Sequence, residues 1–145
     1  MEAFPRDAEM LQGLIEVPRR DVAMLLETGY LLMEFQKFIE AEEVFAGVSL
    51  LLPKSEVPHM ALGNLHFAQC KFQNALKEHQ KAHELRPEVA LPLAHIGECL
   101  FALQRFDDGE KNLKDALRLE PEGASADFAA NLLEARSLGI FDHIK

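Results

Sequence analysis

Tryptophan is absent from the 145 residues of this chain, tyrosine occurs once and cysteine twice. Two cysteines make no disulfide framework, so a reducing compartment is expected. Positive charge is also scarce: 15 Lys and Arg stand against 24 Asp and Glu, a formal charge of −9. An acidic surface repels the phosphate backbone, which excludes nucleic acid and leaves a basic or apolar partner. Long apolar runs are missing too. The longest candidate, VSLLLP at 48–53, falls far short of the roughly 18 residues a membrane span needs, so no membrane insertion is expected. The first twenty residues, MEAFPRDAEMLQGLIEVPRR, carry acids among their apolar positions and lack the basic start and apolar core of a secretory signal. No Gly-rich phosphate loop, Gly-x-Ser-x-Gly elbow or calcium loop is present, so neither enzyme activity nor a cofactor is expected.

What is present is an apolar content of 48% with mean hydropathy near zero, the balance of a soluble globular chain. A domain of this length typically buries roughly 68–70% of its unfolded surface. Its organisation follows from self-comparison. Gly29, Gly63 and Gly97 are spaced 34 apart, and so are Pro53, Pro87 and Pro121. Lys37-Phe38 recurs as Lys71-Phe72 and, conservatively, as Arg105-Phe106. Phe67 and Phe101, Ala82 and Ala116, Leu85 and Leu119, and Pro58 and Pro92 hold the same phase.

Each unit reads as two antiparallel helices. First helices are expected at about 22–35, 56–69 and 90–103, each with a glycine at its middle. Glycine there costs roughly 1 kcal/mol relative to Ala, and close approach of a partner helix is the usual compensation. Turns follow around Gln36-Lys37, Lys71 and Gln104-Arg105, and the aromatic after each anchors a second helix, at about 39–51, 73–85 and 107–119. The proline beyond the second helix cannot continue it. Ala8 to Val17 reads as a short amphipathic helix through Met10, Leu11, Leu14 and Ile15. Ser125 to Leu138 reads as a last helix over the open end of the stack.

A small residue in the first helix, Ala in the second and Pro at the end, 34 in all, resemble the tetratricopeptide repeat. The family's usual Trp is replaced by Leu25, His59 and Leu93, and Val48 stands where Ala is typical. The resemblance implies an all-α fold: a right-handed superhelical stack of three helix hairpins, with repeats at 22–55, 56–89 and 90–123. An N-terminal helix segment (1–21) and a C-terminal capping helix and tail (124–145) flank them. It also implies that the first helices line a concave groove. The repeat phase assigns to it Leu26, Tyr30 and Met33, then Val57, Met60, Asn64 and Phe67, then Leu91, Glu98 and Phe101. Ala23, Glu34, Ala68, Ala94 and Ala102 share these faces. The set is mostly apolar, with adaptable Met and flat aromatics, and suits an extended or helical peptide. Tetratricopeptide domains that hold an acidic C-terminal peptide carry Lys, Asn and Arg on this face. The corresponding residues here are Leu26, Tyr30, Met60, Asn64, Ala94 and Glu98, and only Asn64 fits.

Repeat three, PLAHIGECLFALQRFDDGEKNL from Pro92 to Leu113, is similar to the third repeat of the small tetratricopeptide chaperones of bacterial type III secretion systems, those for pore-forming translocators above all. Chaperones of the needle subunit form a sister possibility, and a general tetratricopeptide scaffold is the alternative. The resemblance implies a cytoplasmic bacterial protein, tied to virulence, that holds an apolar segment of a secreted substrate in its groove. Related chaperones often dimerise through the N-terminal helix, so Met10, Leu11, Leu14 and Ile15 serve either a homodimer or a cap on repeat one.

His66-Cys70 and His95-Cys99 are i, i+4 pairs on helix faces. A zinc site needs about four converging ligands, and none accompany them. The cysteines are expected to pack between helices. His79 and His83, in HQKAH, lack the Glu of a zinc-hydrolase helix and read as a solvated or part-buried face.

Overall fold

The computed structural model describes residues 18–143. They form seven helices: α1 Arg19–Glu34, α2 Phe38–Leu51, α3 Val57–Ala68, α4 Phe72–Leu85, α5 Ala90–Ala102, α6 Phe106–Leu119 and α7 Ala124–Ser137. The expected helix at Ala8–Val17, with Met10, Leu11, Leu14 and Ile15, lies outside the described residues. Each helix packs on the next in sequence, and α7 also reaches back to α5. The architecture is a stack of helix hairpins joined by short links, as the 34-residue period predicts.

The turn inside each hairpin is the same object three times. Gln36, Cys70 and Gln104 hold φ of 58°, 58° and 62°. Around them Gln36 N–H donates to Met33 C=O at 2.9 Å and Lys37 N–H to Leu32 C=O at 2.8 Å; Cys70 and Lys71 repeat this onto Phe67 and His66, and Gln104 and Arg105 onto Phe101 and Leu100. This is the left-handed cap that closes a helix by satisfying its last carbonyls. The next residue but one, Phe38, Phe72 or Phe106, opens the second helix. Non-glycine residues occupy the left-handed position, which is why the turns carry no glycine signature in the sequence.

Glycine acts instead in the helix pairing. A methyl group added at Gly63 would stand 2.5 Å from His79 Nε2, and one added at Gly97 would stand 2.5 Å from Leu113 Cγ. The Phe45 ring fills the same place over Gly29. Phe45, His79 and Leu113 are themselves 34 apart, so one side chain per second helix seats in the glycine notch of its partner. Gly109 adds a second notch, on α6, which the Phe101 ring of α5 fills.

The apolar interior has two centres. One gathers Ala75, Leu76, Leu93, Ala94, Ile96, Cys99, Leu100, Phe101, Leu113, Ala116 and Ala129, and the smaller one Ala41, Phe45, Ala61, Leu62 and Leu65. Helix α7 is more than a lid. Gly139 at φ 72° sends its N–H to Arg136 C=O, Ile140 N–H bonds Ala135 C=O, and Phe141 follows against Phe101 and Phe106. That repeats the hairpin turn and its aromatic one residue late, so α7 stands as the first helix of a fourth repeat-like unit. The likeness of Ile140-Phe141-Asp142 to Arg105-Phe106-Asp107 is the signal in the sequence.

Candidate peptide-binding site

The residues assigned to the groove stand on α1, α3 and α5, the first helices of three successive hairpins. Tyr30 and Val57 are exposed, at 39% and 40%; Leu26, Met33, Met60, Asn64, Phe67, Leu91 and Glu98 are half-buried. Adjacent repeats meet through this row, since Asn64 Nδ2 donates to Tyr30 Oη at 3.1 Å, joining equivalent positions 34 apart. The Tyr30 ring also packs edge-on to Phe45 at 5.2 Å, and Phe67 edge-on to Phe72 at 5.0 Å. Both aromatics are therefore held by the second helix behind them and present a fixed flank outward.

Three expectations need correction. Phe101 is 4% exposed and Ala94 fully buried, so neither offers surface to a ligand: Phe101 fills the Gly109 notch and is covered by Phe106 and Phe141. The repeat phase gave it the same face as Phe67, but the turn after α7 closes over it. Cys70 does not pack between helices; it is exposed, at the left-handed turn position. Cys99 does pack, fully buried, where desolvation and then the nearby Glu98 carboxylate push its thiol up to about 12. His79 is not on a solvated face. It is 1% exposed in the Gly63 notch, its Nδ1 has no hydrogen-bond partner, and burial followed by the neighbouring His95 lowers it to about 3. Its phase with Phe45 and Leu113 would have identified it as a core position.

His79 is stacked on His95 at 4.7 Å, and His95 lies 5.1 Å from Phe128 on α7. His95 Nδ1 pairs with Glu98 Oε2 at 3.1 Å, and His59 Nδ1 with Glu78 Oε2 at 2.8 Å. Glu98, in register with Tyr30 and Asn64, thus adds a carboxylate to the row. Among the described residues no group of three or more His, Cys, Asp or Glu could hold a metal ion, and no helix is long and apolar enough to cross a membrane. A cleft of about 470 Å³ lies between α6 and α7, lined by Glu110, Lys114, Leu133, Arg136, Ser137 and Asp142, away from the Tyr30–Asn64 row.

The fold is that of a tetratricopeptide-repeat domain. No protein-family model matches the chain, and no curated protein matches its sequence. Solved structures do. The Yersinia enterocolitica type III secretion translocator chaperone SycD superposes with a TM-score of 0.76 at 18% identity, over 86% of this chain and 96% of that one. SycD in complex with a peptide of the translocator YopD gives 0.71 at 18% identity, over 86% and 98%. The first repeat domain of Spaghetti (RPAP3), bound to the HSP90 peptide SRMEEVD, gives 0.70 at 24% identity, over 87% and 98%.

Proposed function

We propose that the chain is a type III secretion chaperone that holds an apolar segment of a translocator along Leu26, Tyr30, Met33, Val57, Met60, Asn64, Phe67 and Leu91. The observation that carries this reading is the row's chemistry: half-exposed apolar anchors on three successive first helices, with Glu98 at the position where an acidic peptide needs a cation. That favours a YopD-like apolar ligand over one such as SRMEEVD, whose carboxylates Glu98 would repel. Covering such a segment at roughly 25 cal/mol per Å² removes aggregation-prone surface from the substrate and leaves binding reversible for export. Asn64 and Tyr30, bonded to each other, supply the one polar step in the row and would fix the segment's register. The role is binding in a bacterial cytoplasm, without catalysis.

Co-expression with a translocator and, separately, a needle subunit from the same source tests this. Co-purification with the translocator, weakened by Tyr30→Asp or Met60→Asp while the helical circular dichroism is kept, is the expected result. Loss of one anchor should cost about 2 kcal/mol, roughly thirtyfold in Kd. Recovery of the needle subunit instead would move the substrate to the sister class. Capture of neither, with export unaffected in a deletion strain, would leave only a scaffold in another assembly.

A further inference from the structure

Every half-buried acid but one has a Lys, an Arg or a backbone N–H within reach. Six Asp and Glu residues are half-buried among those described. Glu56, Glu78, Glu110 and Asp115 pair with Arg86, Lys81, Lys114 and Arg118, and Glu120 accepts from the Ala90 N–H. Glu98 has neither. Among the described residues its one ionic partner is His95, whose Nδ1 lies 3.1 Å from Oε2. The other oxygen, Oε1, takes no hydrogen bond from the described residues.

Of the fifteen residues that the repeat phase puts on the groove face of α1, α3 and α5, two are acids, Glu34 and Glu98, and none is Lys, Arg or His. Glu34 is exposed at the end of α1, where solvent and salt screen it. The Glu98 side chain is only 26% exposed, and its surroundings hold it in place. His95, which grips it, is stacked on His79 and packs on Phe128. His79 is neutral, lowered to about 3 by burial and then by His95, so it brings no opposite charge. With α7 as the first helix of a fourth unit, Leu132 stands in register with Glu98 and Phe128 with Ala94, and both are half-buried. Leu91, two turns back along α5, is half-buried too. The methylene stem of a Lys or Arg can lie along such apolar side chains while its charged end reaches the carboxylate.

We propose, on the reading of the first-helix face as the ligand site, that the segment held there carries a Lys or Arg that pairs with Glu98. The groove then selects an apolar segment with one basic residue over a wholly apolar one. A partly buried pair is screened less than a surface pair, so a single residue is enough to discriminate. The formal charge of −9 draws such a segment in, and Glu98 decides where its charge comes to rest.

Selection of a random twelve-residue peptide library on phage against the full chain supplies the probe. Peptides whose binding is lost with Tyr30→Asp or Met60→Asp occupy the groove, and these are expected to share a Lys or Arg among apolar residues. Replacing that residue by Met should weaken binding to the wild-type chain about tenfold at pH 8, where an ordinary imidazole is neutral. The same replacement should cost less than about twofold against Glu98→Gln, since the charge it answers is gone. Glu98→Lys should in turn prefer the peptide with Glu in place of the basic residue. Groove peptides with no basic residue in common, or an equal loss on the wild-type and Glu98→Gln chains, would overturn the proposal and leave the groove reading standing. Peptides indifferent to both Tyr30→Asp and Met60→Asp would overturn the groove reading, and the role of Glu98 with it.

Discussion

At the scale of single residues, burial rather than residue type decides behaviour, and His79 shows this most clearly. Held at about 3 against an ordinary 6.5, it stays neutral in the folded chain while the unfolded chain takes up a proton. Its contribution to stability is complete above about pH 6.5 and is lost as pH falls from there toward 3, at no more than about 1.4 kcal/mol per pH unit. His79→Leu, which puts the residue of the third repeat into the same notch, should therefore reduce the loss of stability between pH 7.5 and pH 5 by roughly 1–2 kcal/mol in urea titrations. An unchanged pH dependence would show that another group is responsible. The two thiols should separate in the same way. Iodoacetamide at pH 8 is expected to modify exposed Cys70 in the native protein and to reach Cys99 only in urea, a result read by mass spectrometry. Gly97→Ala should destabilise by about 1–3 kcal/mol, because the new methyl meets the branch point of Leu113 at 2.5 Å and the Gly109 backbone C=O at 3.1 Å.

Each element begins and ends for reasons that recur every 34 residues. The proline beyond the second helix and the aromatic that opens it were legible in the sequence, because both are residue types with one strong local preference. The left-handed cap was not, since Gln36, Cys70 and Gln104 give no glycine to read. A non-glycine residue held there costs of order 1 kcal/mol, so Gln36→Gly should leave thermal stability equal or raise it by a few tenths to about 1 kcal/mol despite the freer unfolded chain. A clear drop in Tm would mean that the Gln36 side chain stabilises the turn. Helix α7 does more than cover the end of the stack: its turn and Phe141 rebuild the start of a further hairpin, which seals Phe101.

For the whole molecule, stability should rise along the stack from α1. Helix α5 buries nine residues and α1 only Gly29 among those described, and in a repeat array each unit depends on its neighbours. Hydrogen exchange followed by mass spectrometry should find the slowest amides in α5 and α6 and faster ones in α1, whereas uniform protection would mean the stack opens as one unit.

The 34-residue period, the hairpin in each unit and the residues that share a face follow from spacing alone, because periodic spacing reports a periodic environment. Which members of a face stay open depends on how the hairpins pack, and spacing does not carry that. Met33 and Phe67 keep a half-buried flank while Phe101 at the equivalent phase is sealed. His79 is core although its neighbours in sequence are polar. The reason is physical: burial is set by what the next hairpin brings from some 34 residues away, and at the ends of a stack that neighbour differs from the one inside.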